Sequence, residues 1–412
     1  MTQRIYHTLI WLLLAIPALA SEPPKSLMGA QDFKPSVEHP FGWRGDGSGR
    51  FPGATPVTEW STTKNVKWGI AVGKSHSSPI LTDALVFVTS EPNLLFCIGR
   101  NDGKIRWKAE IKPADLTNPQ SRKVAEEYVP PKDGSGMAAA TPITDGKRVY
   151  AVYGNGIVCA VNLDGKRAWT TCIEAEQSTG YGRSASPIIA GGKLIVSMTN
   201  LYAFDLETGK QLWVNEDAKS GYGTPAAMKV GATEVVITPV GDVAQVSDGK
   251  IVDSNIGHTI HSSPFAEDGV VYFGESMFSA VRLNAAFKDE EAWNAMISGE
   301  IFSSPLLYSG ILYLATGEGE LVAFDAKGKG SQDPLINARS LFEDGGGYAS
   351  LTLAGKYLFL NSNGGEMVML EATREAPAIS HNRLKEGTGS TPVFSGKSMF
   401  IRDGETLYCI GQ

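Results

Sequence analysis

From about residue 65 onward the apolar positions fall in short runs, each closed by a Gly- or Asp-containing turn. Pro187 leads into IIAGGKLIVSM, then LYAFDL, the turn ETGK and QLWV; Pro305 leads into LLYSGILYLAT, then ELVAFDA and KGKG. The runs are rich in β-branched and aromatic residues and carry no helical period, so they read as strands. A Ser/Thr-Pro pair heads each unit: Ser78-Pro79, Thr141-Pro142, Ser186-Pro187, Thr224-Pro225, Ser263-Pro264, Ser304-Pro305 and Thr391-Pro392, with Ser350-Leu351 in the same place without its Pro. The spacings are 63, 45, 38, 39, 41, 46 and 41 residues. A period near 40 residues predicts a solenoid or a propeller, and four strands per unit select the propeller.

A four-stranded unit has two apolar faces, and packing between neighbours buries both only if the ring closes. The final unit, Thr391 to Gln412, holds three strands and lacks the Trp-bearing fourth. Asn65-Val66-Lys67-Trp68-Gly69-Ile70, upstream of the first unit, resembles that missing piece, as comparison with Lys104-Ile105-Arg106-Trp107 and Lys210-Gln211-Leu212-Trp213 shows. The expected fold is therefore all-β: an eight-bladed β-propeller of four-stranded antiparallel blades, in which the strand around Trp68 completes the last blade. Seven blades with a degenerate extra segment is the alternative, because the fourth and seventh units match least well. The expected organisation is a signal peptide at 1–20, an extension at 21–64 and the propeller at 65–412, with an insertion at 112–137 between blades 1 and 2.

The segment Ala203-Phe204-Asp205-Leu206-Glu207-Thr208-Gly209-Lys210-Gln211-Leu212-Trp213 resembles the repeat of pyrroloquinoline-quinone-like β-propellers. Ala323-Phe324-Asp325, and Ala160-Val161-Asn162 with Gly165-Lys166 and Trp169, echo it. Asp or Asn opens the turn, Gly takes a positive-φ position, and the Trp fills the gap between blades. Trp68, Trp107, Trp169, Trp213 and Trp293 share that place. The leader Phe41-Gly42-Trp43-Arg44-Gly45-Asp46-Gly47, with Thr58-Glu59-Trp60, resembles the extension of some secreted members, and its Arg-Gly-Asp triplet reads as a turn. In the family's quinoprotein dehydrogenases the resemblance implies a quinone near the ring axis, held by calcium with acidic and amide ligands, a stacking Trp and often a bridge between adjacent cysteines. This chain has no Cys-Cys pair and no Cys-x-x-Cys-His haem site, and its tryptophans read as inter-blade with none as an axial platform. No cofactor is therefore expected. The non-catalytic members, among them the assembly factor for outer-membrane β-barrels, are the better analogy.

Composition narrows the function. The 412 residues are 42% hydrophobic and 20% charged, with a formal charge of −7 and no long Lys/Arg run. Nucleic acid is excluded as a partner on that ground, and so is anionic lipid. Arg4, the apolar Leu9–Ile16 and Ala18-Leu19-Ala20 make a secretory signal peptide with cleavage near Ala20, an uncleaved anchor being the alternative. The run is short for a bilayer span, and no later segment approaches one. No Cys follows it to carry a lipid. A periplasmic or secreted chain is expected, with an envelope or extracellular protein, a peptide or a glycan as partner. Cys97, Cys159 and Cys409 read as small buried residues in place of the third-strand Ala, and a Cys159–Cys172 bridge stays open.

No metalloprotease, phosphate-loop or nucleophile-elbow motif is present. His258 and His261, three apart in a loop, read as rim residues. In a propeller the innermost strand begins near the central channel, so residues just before each Pro should ring its mouth. The eight units place His76, Ala139, Ser184, Tyr222, His261, Phe302, Tyr348 and Gly389 there. Rings thus fall on blades 4–7 and small residues on blades 2, 3 and 8. Met137 and Arg183 lie beside them. The candidate ligand or partner face is His76, Arg183, Tyr222, His261, Phe302 and Tyr348, partly covered by the Pro-rich insertion, with Arg183 offering a charge to an anionic ligand or peptide carboxylate. The alternative is that the rings only plug the mouth. The function classes are a non-catalytic binding or scaffold propeller, a quinone- and calcium-dependent oxidoreductase, and another enzyme working at the mouth, for example on polysaccharide.

Overall fold

The computed structural model describes residues 26–412 except 133, 177–179, 344–345 and 388. The expected signal peptide lies outside the described residues. Eight antiparallel sheets follow one another along the chain, each built in the order expected for a propeller blade. Two gain a short parallel fifth strand. β1 (Arg50–Phe51) joins the innermost strand of blade 7, Thr352–Ala354, and Gly330–Ser331 joins the outermost strand of blade 5, Asp289–Met296.

The ring closes through the amino-terminal strand. β2 (Val66–Ala71) pairs antiparallel with Thr406–Ile410, with Gly69 opposite Tyr408 and Trp68 opposite Cys409. Side chains reinforce this seam. Thr391 N–H donates to Ser78 Oγ at 2.9 Å, and the buried Arg402 donates to the carbonyls of Gly73 (3.0 Å) and Thr89 (2.7 Å). Burial in this seam lowers the Arg402 pKa to about 10.

The tryptophans explain how blades register on one another. Each indole N–H donates to a turn carbonyl of the next blade: Trp107 to Leu163 (2.8 Å), Trp169 to Leu206 (3.0 Å), Trp213 to Val246 (3.1 Å) and Trp293 to Ala326 (3.1 Å). Trp68, in blade 8, does the same to Arg100 of blade 1 at 3.0 Å, so the closing seam repeats the geometry of the others. The turn glycine serves the same joint. Gly209 has φ +70°, and a Cβ there would run into the Trp169 ring. Gly at this place thus supplies both the left-handed backbone and the flat seat for the indole.

The insertion holds a helix, and one cysteine expectation needs correction. Within the insertion, α1 (Pro119–Glu127) is a helix, capped by Asn118 Oδ1, which accepts from the N–H groups of Gln120 and Ser121. Asn-Pro at the cap and first helical position was the signal available. In blade 2 it is Ala160, not Cys159, that lies opposite Trp169; Cys159 lies opposite Thr170 and therefore faces the other side of the sheet. The Cys159–Cys172 bridge is not formed. Cys172 sits opposite Ile157, and both thiols are free, pushed up to about 12 and 11 by burial.

Candidate functional site at the channel mouth

Each blade sends its Ser or Thr, the residue before the Pro, into the channel, and neighbouring blades hydrogen-bond there in a circle. Ser78 N–H donates to Thr141 Oγ1 (2.9 Å), Thr141 to Ser186 (3.0 Å), Ser186 to Thr224 (3.0 Å), Thr224 to Ser263 (2.9 Å), Ser263 to Ser304 (2.9 Å) and Ser304 to Ser350 (3.0 Å). The Thr391–Ser78 bond given above crosses the seam. The repeat's hydroxyl is thus an inter-blade acceptor. The Pro after it removes a backbone donor that would face the crowded channel. Blade 7 has no Pro, and its Leu351 N–H is instead taken by Ser303 Oγ at 3.4 Å. Thr224→Val, which keeps the shape and removes the acceptor, should lower unfolding free energy by about 1–3 kcal/mol because the buried Ser186 N–H is left unpaired. Urea denaturation measures this, and an unchanged midpoint would show the circle to be incidental.

Above the hydroxyl circle all eight ring positions, from His76 round to Gly389, line one cavity of about 640 Å³. The rings on its wall form a continuous arc. Tyr181 and Tyr222 lie 6.1 Å apart by centroid, Tyr222 stacks on His261 at 5.4 Å, His261 meets Phe302 at 4.7 Å, and Phe302 meets Tyr348 edge-on at 4.6 Å. Edge-to-face and offset contacts at such distances are mutually stabilising, so the wall is held as a unit. Tyr181, from the loop between blades 2 and 3, is a member that the repeat alignment did not offer. Ala139, Ser184 and Gly389 leave the facing side open. His76 stands in blade 1, across the ring from His261.

The cavity's floor is Trp43, which also lines a smaller cavity of about 220 Å³ below it. The leader reaches this place from the far face of the wheel. Gly29, Ala30 and Gln31 accept from Gly396 N–H (2.7 Å), Ser395 Oγ (3.1 Å) and Arg100 Nη2 (3.1 Å), and Phe41 and Thr144 exchange backbone hydrogen bonds. Arg44, 1% exposed, donates to the carbonyls of Pro305 and Leu351 at 3.1 Å and lies 5.3 Å from the Trp43 ring centre. Burial lowers its pKa to about 9. Arg50 pairs with Glu267 of blade 5. The Arg-Gly-Asp triplet is therefore part of an internal anchor, and the expectation that no Trp stands on the axis is corrected by Trp43.

Arg183 is not part of the cavity wall. Its guanidinium donates to the carbonyls of Gly154 (2.9 Å) and Ala175 and lies 5.1 Å from the ring centre of Tyr128, at the end of the insertion's helix; burial lowers its pKa. It ties the insertion to blades 2 and 3. The insertion does reach the mouth through Gly134 and Ser135, and Ser135 N–H donates to Tyr181 O at 2.8 Å. Around the opening lies an apolar rim. The outermost strand of each blade ends on this face, and Val129, Tyr181, Ile260, Met277, Met296 and Tyr348 are 80, 60, 45, 56, 66 and 60% exposed there.

The residues at the mouth do not fit a calcium-held quinone. Among the described residues Glu300 is the one carboxylate on the wall, and no three His, Cys, Asp or Glu side chains come together to hold a metal ion. No described helix is long and apolar enough to cross a membrane.

Comparison with known proteins agrees with the architecture. BamB from Moranella endobia (strain PCIT) is 22% identical over 374 residues, covering 80% of this chain and 83% of that protein. Quinohemoprotein alcohol dehydrogenase ADH-IIG from Pseudomonas putida is 24% identical over 224 residues, which is 49% of this chain but only 29% of the longer enzyme. The crystal structure of BamB from Moraxella catarrhalis superposes with a TM-score of 0.61 at 14% identity, over 84% of this chain and 99% of that one. A family model matches residues 58–247 and 198–373. With that match spanning most of the wheel, the chain belongs to the family described as outer membrane protein assembly factor BamB, within the pyrroloquinoline-quinone-like propellers.

Proposed function

We propose that this chain is a non-catalytic binding propeller of the cell envelope, periplasmic or secreted after cleavage near Ala20, and that it docks a protein partner on its mouth face. The observation that carries this reading is the apolar rim. Six exposed large apolar side chains lie on that face around blades 2–7, and apolar surface of this kind is a common feature of interaction sites. A rigid ring with wide faces and a wall without a nucleophile–base pair is suited to holding a partner in place. The relatives named as outer-membrane assembly factors point to an envelope protein as that partner. Peptide and glycan remain ligands of the same face in this reading.

The test is affinity capture from envelope extract with the mature chain, its retained proteins identified by mass spectrometry and rebound in purified form. Met277→Asp with Met296→Asp should weaken the rebinding at least about tenfold, since a charge set in an apolar contact must be desolvated. No specific partner, or one held equally by the double variant, would overturn the assignment of this face.

A further inference from the structure

Beneath the rim the lumen has a chemistry of its own. Seven hydroxyl oxygens of the circle each accept an N–H from the neighbouring blade. Each still carries its own proton, and the described hydrogen bonds give none of these protons an acceptor. The circle therefore offers converging O–H donors to whatever fills the lumen. Above it stands the arc Tyr222, His261, Phe302 and Tyr348, and below it the face of Trp43.

Charge decides which ligand this suits. Among the described residues no Lys or Arg lines the cavity, and its ionisable groups other than tyrosine are Glu300, His76 and His261. A phosphate or carboxylate would accept from the same hydroxyls but would meet no described Lys or Arg to neutralise it, and Glu300 would oppose it. An uncharged ligand rich in acceptor oxygens meets no such penalty. The C–H groups of a sugar ring can pack against the apolar carbons of the arc, while its hydroxyls take the O–H donors and give to Glu300. The volume, about 640 Å³, lies in the range of small-molecule sites.

We infer that the lumen is a binding site for a neutral oligosaccharide, packed between the aromatic arc and Trp43 and hydrogen-bonded by the hydroxyl circle. This deepens the glycan part of the reading above; Tyr181 and Tyr348 belong to both rim and arc, so Met277 and Met296 report on the rim alone and Tyr222 and Phe302 on the arc alone.

Isothermal titration of the mature chain with maltotriose, cellotriose, chitotriose and galactotriose, and with a galacturonate trisaccharide, tests it. At least one neutral sugar should bind saturably, and the acidic one at least about tenfold more weakly. Tyr222→Ala with Phe302→Ala, and separately the exposed Tyr348→Ala, should each weaken the neutral sugar about tenfold or more while circular dichroism stays unchanged. The rim variant Met277→Asp with Met296→Asp should bind sugar normally, so loss of partner capture and loss of sugar are read apart. Binding of no neutral trisaccharide at millimolar concentration, preference for the acidic one, or binding undiminished in the arc variants would overturn the inference.

Discussion

Trp293→Ala is expected to cost about 3–5 kcal/mol of stability, the range for truncating a buried aromatic side chain. Trp293 is 1% exposed and packs on Phe278 at 5.0 Å, Phe324 at 5.6 Å and Tyr272 at 6.3 Å, which joins blade 5 to blade 6. Its N–H is spent on Ala326 O, so truncation leaves a cavity between blades and an unpaired carbonyl together. Guanidinium unfolding followed by far-ultraviolet circular dichroism measures the loss. A change under about 1 kcal/mol would mean that the blades do not depend on the indole joint, since surface truncations stay near that size.

A chain shortened to begin at residue 72, without β2, is expected to lose the single cooperative transition and to self-associate. Blade 8 would keep three strands and expose the backbone of Thr406–Ile410, an unpaired edge that templates pairing with other chains. It would also lose the Trp68–Arg100 bond. The leader residues that plug the far face go with it, including Phe51, fully buried and packed on Phe394 at 5.4 Å. Size-exclusion chromatography with light scattering, together with calorimetry, distinguishes the outcomes. A monomer with the full chain's melting temperature would contradict the closure described here.

The wheel was legible because its joints are chemical and local. Seven of the eight blades use the hydroxyl as an acceptor at the channel and most have Pro beside it, so the pairs recur at blade spacing. A Gly that must take positive φ also faces the neighbour's indole, so Gly and Trp recur together. The same regularity placed the eight mouth residues. What escaped the reading is what does not repeat. Trp43 lies in a leader whose path through the channel depends on distant partners, Arg44 on Pro305 and Leu351 among them. Tyr181 enters from an irregular loop, held by its N–H to Tyr222 Oη at 3.2 Å. Arg183 had the composition of a ligand-binding charge, and only the fold reveals that carbonyls and Tyr128 already occupy it. Cys159 was placed one residue off, which reverses the face of a strand: Ala160, in the Ala-Val-Asn echo of the repeat, holds the place opposite the Trp that Ala203 has in blade 3.

Hydrogen–deuterium exchange tests the closed ring most directly. In the full chain the amides of Val66–Ala71 and Thr406–Ile410 should be protected together, to the same degree as the central strands of blade 1, and deleting residues 66–71 should release 406–410 at once. Fast exchange of Val66–Ala71 in the full chain, or protection of 406–410 unchanged by the deletion, would show that the two ends do not meet and that the mouth is not the rim of a closed wheel.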